Sequence, residues 1–335
     1  TENRYTILVP PKDKDYYTPT NPNFTVHTIP YKAYSLSEQI GYLRYLNELQ
    51  PDLVHFCMPQ QPILYRGKKI TTVHDLTLLK TYNSDKNWLE YHIKQLVGRF
   101  VFRYIAKTNN HIITISNTTK YEYINHSKIS DDKITTIYEA GEVSSGNIEP
   151  YPNLPYERFI MYVGQQPDYK NIRTLGDAHH LLRQKDPSLG LVLVGRMNED
   201  TKRNKAYFEN KGYEGIHFTG FIPDNQRDWL YQHALAYVFP SKMEGFGLPP
   251  LEAMAHGTPV ISSNASCMPE ILGDAAIYFN PDNIPEIADV IAATIANPGL
   301  LADMQTKGHV QAAKYSWARM AEETRKIYLD ILRAA

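Results

Sequence analysis

Residues Phe239–Glu252 read Phe-Pro-Ser-Lys-Met-Glu-Gly-Phe-Gly-Leu-Pro-Pro-Leu-Glu and hold the densest set of chemically useful groups in the chain. A strand-like apolar run ends at Phe239, and a helical pattern follows. Gly245 and Gly247 carry no side chain, so the backbone there can approach a ligand. Pro249 or Pro250 suits a first helical turn, whose amides lack internal partners. Free N–H groups and the helix dipole together favour an anion such as a diphosphate. Glu252, in the first turns of that helix, is placed to accept from two vicinal hydroxyls, as on a ribose. Glu244, just before the glycines, is placed to meet a sugar. The same spacing also fits a turn whose glycines only permit tight packing, with both glutamates in solvent.

Alternating strands and helices must position this loop. The first half offers strands at Tyr5–Val9, Phe24–Ile29, Leu53–Phe56, Ile70–His74, His111–Ser116 and Ile134–Tyr138. Helical stretches lie at Ser35–Leu49, Asn87–Lys107 and Asn117–His126. The second half offers strands at Phe159–Val163, Gly190–Val194, His217–Phe218, Ala236–Phe239, Pro259–Ser262 and Ala276–Phe279. Runs such as Leu191–Val194 are apolar on both faces, as in parallel sheets. The alternation predicts doubly wound α/β layers. Val143–Glu157, with Pro150, Pro152 and Pro155, reads as a linker. Two Rossmann-like domains, 1–150 and 151–316, are expected to face each other across a cleft, with ligands at the carboxyl ends of the strands.

The chain has 335 residues, more than one core comfortably holds. A net charge of −1 points to neither nucleic acid nor an acidic partner. Cys57 and Cys267 are the only cysteines, too few for a disulfide framework or a CxxC metal site, and a reducing compartment fits them. No segment approaches ~18 consecutive apolar residues, and Thr1–Tyr5 lacks the basic start of a signal peptide. No metal site is expected; Asp131-Asp132 reads as a turn cap.

The Phe239–Glu252 segment resembles the Glu-x7-Glu signature of family 4 glycosyltransferases, the large retaining GT-B family, with Glu244 and Glu252 on its two glutamates. Tyr162-Val163-Gly164 followed by Lys170-Asn171 is similar to the family's first donor-domain strand and loop. Gly257–Ser262, Pro269–Ala276 and Tyr315-Ser316-Trp317 are similar to its later blocks. Pro51–Phe56 and Thr72–Leu76 extend the likeness into the first half. The flavour is that of bacterial mannosyltransferase-like members. The resemblance implies an acceptor-side domain over 1–150, a donor nucleotide-sugar domain over 151–316, and a closing helix over 317–335 that crosses back to the first. It implies that Glu244 touches the donor hexose, Glu252 the ribose, and Lys170 the leaving diphosphate, where a fixed cation lowers the barrier. The amides of Gly245, Phe246, Gly247 and Leu248 would hold hydroxyls or phosphate oxygens, beside Gly164 and Gln165. Many relatives have arginine where Gln165 stands, so phosphate stabilisation must come partly from elsewhere or be weaker. His74 is implied to contact the sugar or support the reaction centre, and Asp75 to cap the next turn. His55 and Ser116-Asn117 end strands on the acceptor side, with a purely structural role favoured; Glu139 and Glu142 are given no role.

These likenesses imply a metal-independent, retaining transfer of a hexose from a nucleotide diphosphate sugar, for which GDP-mannose is the guess, to a glycan or lipid-linked acceptor. The donor is a co-substrate, and no cofactor is expected. The protein is expected to be cytoplasmic, at most peripheral at the inner membrane face. Residues 86–107 carry Lys86, Lys94, Arg99, Arg103 and Lys107 against Glu90 alone, with five aromatics. Such a helix can lie on anionic headgroups, or bury its aromatics against the sheet. No glycine precedes Gly41, and Tyr5–Pro10 is similar to the family's second strand. The family's first strand and Gly-rich loop are therefore expected to be missing through an incomplete start, since a natural loss would leave unpaired sheet edges. A non-catalytic nucleotide-sugar-binding or scaffolding subunit is the alternative, and a sugar-nucleotide epimerase a remote one.

Overall fold

A computed structural model of the chain describes residues 3–32, 35–80, 88–141 and 146–334, with the backbone alone for 88–90. Its strands are β1 (Tyr5–Val9), β2 (Phe24–Thr28), β3 (Val54–Phe56), β4 (Lys69–Val73), β5 (His111–Thr114), β6 (Ile134–Thr136), β7 (Arg158–Val163), β8 (Leu189–Val194), β9 (Ile216–Gly220), β10 (Ala236–Phe239), β11 (Val260–Ser263) and β12 (Ala276–Phe279). The α-helices are α1 (Leu43–Leu49), α2 (Thr77–Lys80), α3 (Trp88–Thr108), α4 (Asn117–Ser127), α5 (Ile172–Lys185), α6 (Glu199–Asn210), α7 (Asp224–His233), α8 (Leu248–Ala255), α9 (Met268–Leu272), α10 (Ile284–Ile295), α11 (Pro298–Ala312) and α12 (Trp317–Arg333).

All recorded strand pairings are parallel. The second half forms one six-stranded sheet in the order β12-β11-β10-β7-β8-β9. Its central strands are apolar on both faces because helices cover both: every residue of β8 and β10 is buried. Chain order reverses between β7 and β10, and that switch point is where open α/β sheets bind ligands.

The first half departs from the single sheet expected of it. It holds a four-stranded sheet, β3-β4-β5-β6, and a separate two-stranded sheet, β1-β2. Leu8 of β1 reaches the Leu46, Val54, Phe56 and Tyr65 cluster through side-chain packing, not through a ladder. The last helix, α12, lays Met320, Ile327, Tyr328 and Ile331 against Ile70 and Ile113 of the four-stranded sheet and Ile137 just beyond β6. The chain's end is thereby packed on its first half.

Candidate active site

Strand β10 delivers the chain to the glycine turn at the switch point. Gly247 has φ +98° and sits immediately before α8; a Cβ there would stand 2.6 Å from Met268 Cε. Gly245 meets the other half of the molecule: a Cβ on it would lie 2.1 Å from the His74 carbonyl oxygen. Only glycine fits either position. The amides of Gly245, Phe246 and Gly247 donate to no protein group among the described residues. Ser266 fixes the backbone of Glu244 from both sides, its hydroxyl accepting from the Glu244 amide (3.2 Å) and donating to the Glu244 carbonyl (2.7 Å).

Lys170 is held against this turn by the strand next door. Asn171, in the left-handed region at φ +62°, donates to the carbonyls of Pro240 (3.2 Å) and Pro281 (2.8 Å), and the Lys242 amide donates to the Tyr169 carbonyl. The result is a 2.6 Å ion pair between Lys170 Nζ and Glu244 Oε1, with side chains only 17% and 11% exposed. The expected phosphate cation and the expected sugar carboxylate thus neutralise each other.

Glu252 lies on α8 and accepts from Tyr231 at 3.3 Å. Burial raises its carboxyl pKa above the usual range, against the pull of Arg227. Gly164 and Gly195 bring the ends of β7 and β8 together, a Cβ on Gly195 falling 2.4 Å from the Gly164 carbonyl oxygen. Gln165 is exposed, and its carbonyl accepts from Tyr162 at 2.8 Å.

The first half contributes His74, just beyond β4. Its Nδ1 stands 3.1 Å from Glu139 Oε1 and its Nε2 2.9 Å from the Cys57 carbonyl oxygen. A carboxylate and a carbonyl are both acceptors, so this pair of neighbours favours the protonated ring. The Glu139 hydrogen bond raises its pKa, against the opposing effect of burial. Asp75 accepts from the Thr77 amide at 2.8 Å, capping the next turn. Across the cleft, Glu270 of α9 accepts from the amides of Asn117 (2.6 Å) and Thr118 (2.9 Å), the Thr118 hydroxyl (2.9 Å) and the Tyr138 hydroxyl (3.0 Å). A carboxylate from the second half therefore sits on the N-terminus of a first-half helix, where the dipole favours it.

Known proteins carry the same framework. The profile of Glycosyl transferases group 1 matches residues 148–311, and that of Glycosyltransferase Family 4 matches residues 4–140. O-antigen chain mannosyltransferase B of Escherichia coli is 30% identical over 283 residues, 78% of this chain and 70% of that protein. The chain belongs to glycosyltransferase family 4. The E. coli serotype-specific mannosyltransferase WbdA is 29% identical over 276 residues, which are 76% of this family 4 chain and 32% of WbdA; the chain spans about a third of that relative. Sucrose-phosphate synthase (tll1590) from Thermosynechococcus elongatus shares the GT-B fold, with a TM-score of 0.77 at 20% identity, covering 99% of this chain and 89% of that one.

Within this family 4 glycosyltransferase, Glu244, Lys170, Gly245, Gly247 and Leu248 come together at the switch point, and His74 meets Gly245 from the other half. Phe246 can serve only through its backbone. Its side chain is buried between Tyr138 and Tyr315, with ring centroids 6.2 and 5.5 Å away. His55 belongs to the packing of α12: its ring bonds Tyr328 (2.6 Å) and Thr72 (2.8 Å), and burial lowers its pKa to about 4. Ser116 caps α4 through the Thr119 amide. Asp131 pairs with Lys120 at 2.8 Å, and Asp132 accepts from Ser130. Among the described residues no three His, Cys, Asp or Glu side chains group to hold a metal ion, and no single helix is long and apolar enough to cross a membrane. Glu139, Glu270, Tyr231 and Ser266 were missed by the sequence reading, and Glu142 lies outside the described residues. The capping-box-like run Ser116-Asn117-Thr118-Thr119 marks a helix start, but not the distant carboxylate that serves it.

Proposed function

We propose that the chain is a retaining, metal-independent hexosyltransferase that moves mannose from GDP-mannose to a glycan or lipid-linked acceptor on the cytoplasmic side. The Lys170–Glu244 pair beneath the open amides of the glycine turn carries the reading. The mannosyltransferase names of the relatives support the choice of sugar, and two unpaired cysteines support a reducing compartment. In this reading residues 1–150 form the acceptor side, 151–316 the donor side, and 317–335 return to the first.

Donor binding exchanges partners. The diphosphate takes Lys170 from Glu244 and lies on the amides of the turn. Glu244, released, accepts from sugar hydroxyls, and Glu252, oriented by Tyr231, accepts from the ribose. As the glycosidic bond breaks, negative charge grows on the leaving phosphate, and Lys170, aided by His74 when protonated, opposes it. Arg196 adds a third cation in place of the arginine that Gln165 replaces. Residues 165 and 196 each lie two positions beyond the ends of the paired strands β7 and β8, whose last partners are Val163 and Val194, and the Arg196 guanidinium lies 5.3 Å from the Phe221 ring centroid. The acceptor attacks the face the phosphate leaves, and the departing oxygen takes its proton, so no protein nucleophile is required.

The test has two parts. GDP-, UDP- and ADP-sugars are compared by thermal shift, since a ligand that binds only the folded state raises Tm. The anomeric configuration of the product is then read by NMR. Stabilisation by GDP-mannose and an α-linked product are expected. Stabilisation by another donor alone overturns the sugar assignment, and a β-linked product overturns retention.

A further inference from the structure

Helix α3 has two faces of opposite fate. Toward the sheet it buries Gln95, Phe102, Ile105 and Ala106. Away from it, Ile93, Leu96, Val97 and Phe100 are 52, 65, 55 and 57% exposed. At about 100° per residue these four fall within an arc of roughly 100°, a continuous stripe and not scattered surface residues. Leu78 of α2, also exposed, adjoins them because Gly98 lets α2 lie close. A Cβ at Gly98 would meet Leu79 Cδ2 at 3.1 Å and Leu78 Cδ2 at 3.4 Å.

One edge of the stripe is cationic. Residues 91–108 include Lys94, Arg99, Arg103 and Lys107 and no Asp or Glu. Arg99 and Arg103 fall within about 60° of the stripe's edge. They line a depression of about 610 Å³ together with Lys80, Tyr121 and His126. Glu122 engages Lys80. The two guanidiniums have only neutral acceptors among the described residues, the Gln95 side chain and the His126 carbonyl, each at 3.4 Å. His126 Nε2 is buried there without a partner. Three lining cations against the one lining carboxylate leave a surplus of two positive charges beside the apolar stripe.

We infer that this face docks on an anionic phospholipid surface, with Ile93, Leu96, Val97 and Phe100 in the acyl boundary and Arg99 and Arg103 on headgroup phosphates. Charge complementarity favours lipid phosphate, and the convex helix face suits a fluid boundary that moulds around it. Leu76, which lines the depression, is two residues beyond His74, so docking brings the strand ends of the first half close to the bilayer. The inference is independent of the sugar-transfer reading, because it concerns a surface outside the glycine turn.

Co-sedimentation of the full chain with vesicles tests it. Binding to phosphatidylglycerol–phosphatidylcholine vesicles is expected to exceed binding to pure phosphatidylcholine and to weaken with added salt. Arg99→Gln/Arg103→Gln is expected to weaken it about thirtyfold, roughly fivefold for each basic residue near an anionic surface. Leu96→Ser/Phe100→Ser is expected to abolish it. Both variants should keep the wild-type Tm, since the replaced side chains are exposed. No binding by the wild type, or binding that survives both double variants, overturns the inference. So does a dimer in solution that Leu96→Ser/Phe100→Ser dissolves, which would make a second copy the occupant. Stabilisation by inorganic phosphate that depends on Arg99 and Arg103, without vesicle binding, overturns it in favour of a soluble anion.

Discussion

Replacing Lys170 by alanine separates the candidate site's structural role from its chemical one. At 2.6 Å the Lys170–Glu244 attraction is about 6 kcal/mol before desolvation at an effective dielectric near 20. Removing one partner of a buried pair strands the other, at a typical cost of 3–5 kcal/mol. Both side chains keep slight solvent contact, so the lower end, about 3 kcal/mol, is expected. For a domain of this size that corresponds to a fall in Tm of roughly 6–12 °C by differential scanning fluorimetry. Glu244→Gln in the Lys170→Ala background removes the stranded charge and should recover most of the loss. Glu244→Gln alone should behave in the opposite sense toward ligand. A nucleoside diphosphate without sugar should bind that variant more tightly than wild type, because no carboxylate competes for the ammonium, while sugar transfer falls more than tenfold. A Lys170→Ala protein that melts with the wild type, or one that Glu244→Gln fails to rescue, would refute the exchange of partners.

Glu139→Gln should lower the His74 pKa, because the hydrogen bond that raises it is weakened, and NMR titration of the ring measures it. In wild type the raised pKa contributes stability fully present below the ordinary histidine value and lost as pH rises through the folded value; a variant with an unchanged titration would show that Glu139 does not set the charge. Glu270→Ala should accelerate hydrogen exchange at the Asn117 and Thr118 amides and leave β8 unaffected, and unaltered exchange would mean that other groups cap α4. Gly245→Ala should lower Tm by several degrees, since its Cβ would press on the His74 carbonyl oxygen, and a full-stability variant would mean that the two halves separate freely there.

Every strand was legible in the sequence, with ends displaced by a residue or two, because a parallel sheet covered on both faces needs unbroken apolar runs such as Leu191–Val194. The form of the glycine turn was legible for a similar reason. Glu244, the glycines and Glu252 sit in one short segment whose spacing encodes a strand, a turn and a helix. What was not legible depends on how the two halves meet. Glu270 reaches Asn117 across 153 residues, and no periodicity in either segment announces the other. His74 was picked out as a strand-end histidine, but the groups that raise its pKa, Glu139 and the Cys57 carbonyl, are brought to it only by the packed structure. Phe246 shows the converse: a residue between two exposed-looking glycines is drawn inward by Tyr138 and Tyr315.

The seat of Glu270 on α4 has a bearing on timing. Four donors of the first half converge on one carboxylate of the second, so the halves are latched to each other at that point. Any motion that parts the halves there must break these bonds together, which makes this one carboxylate the brake on such an opening.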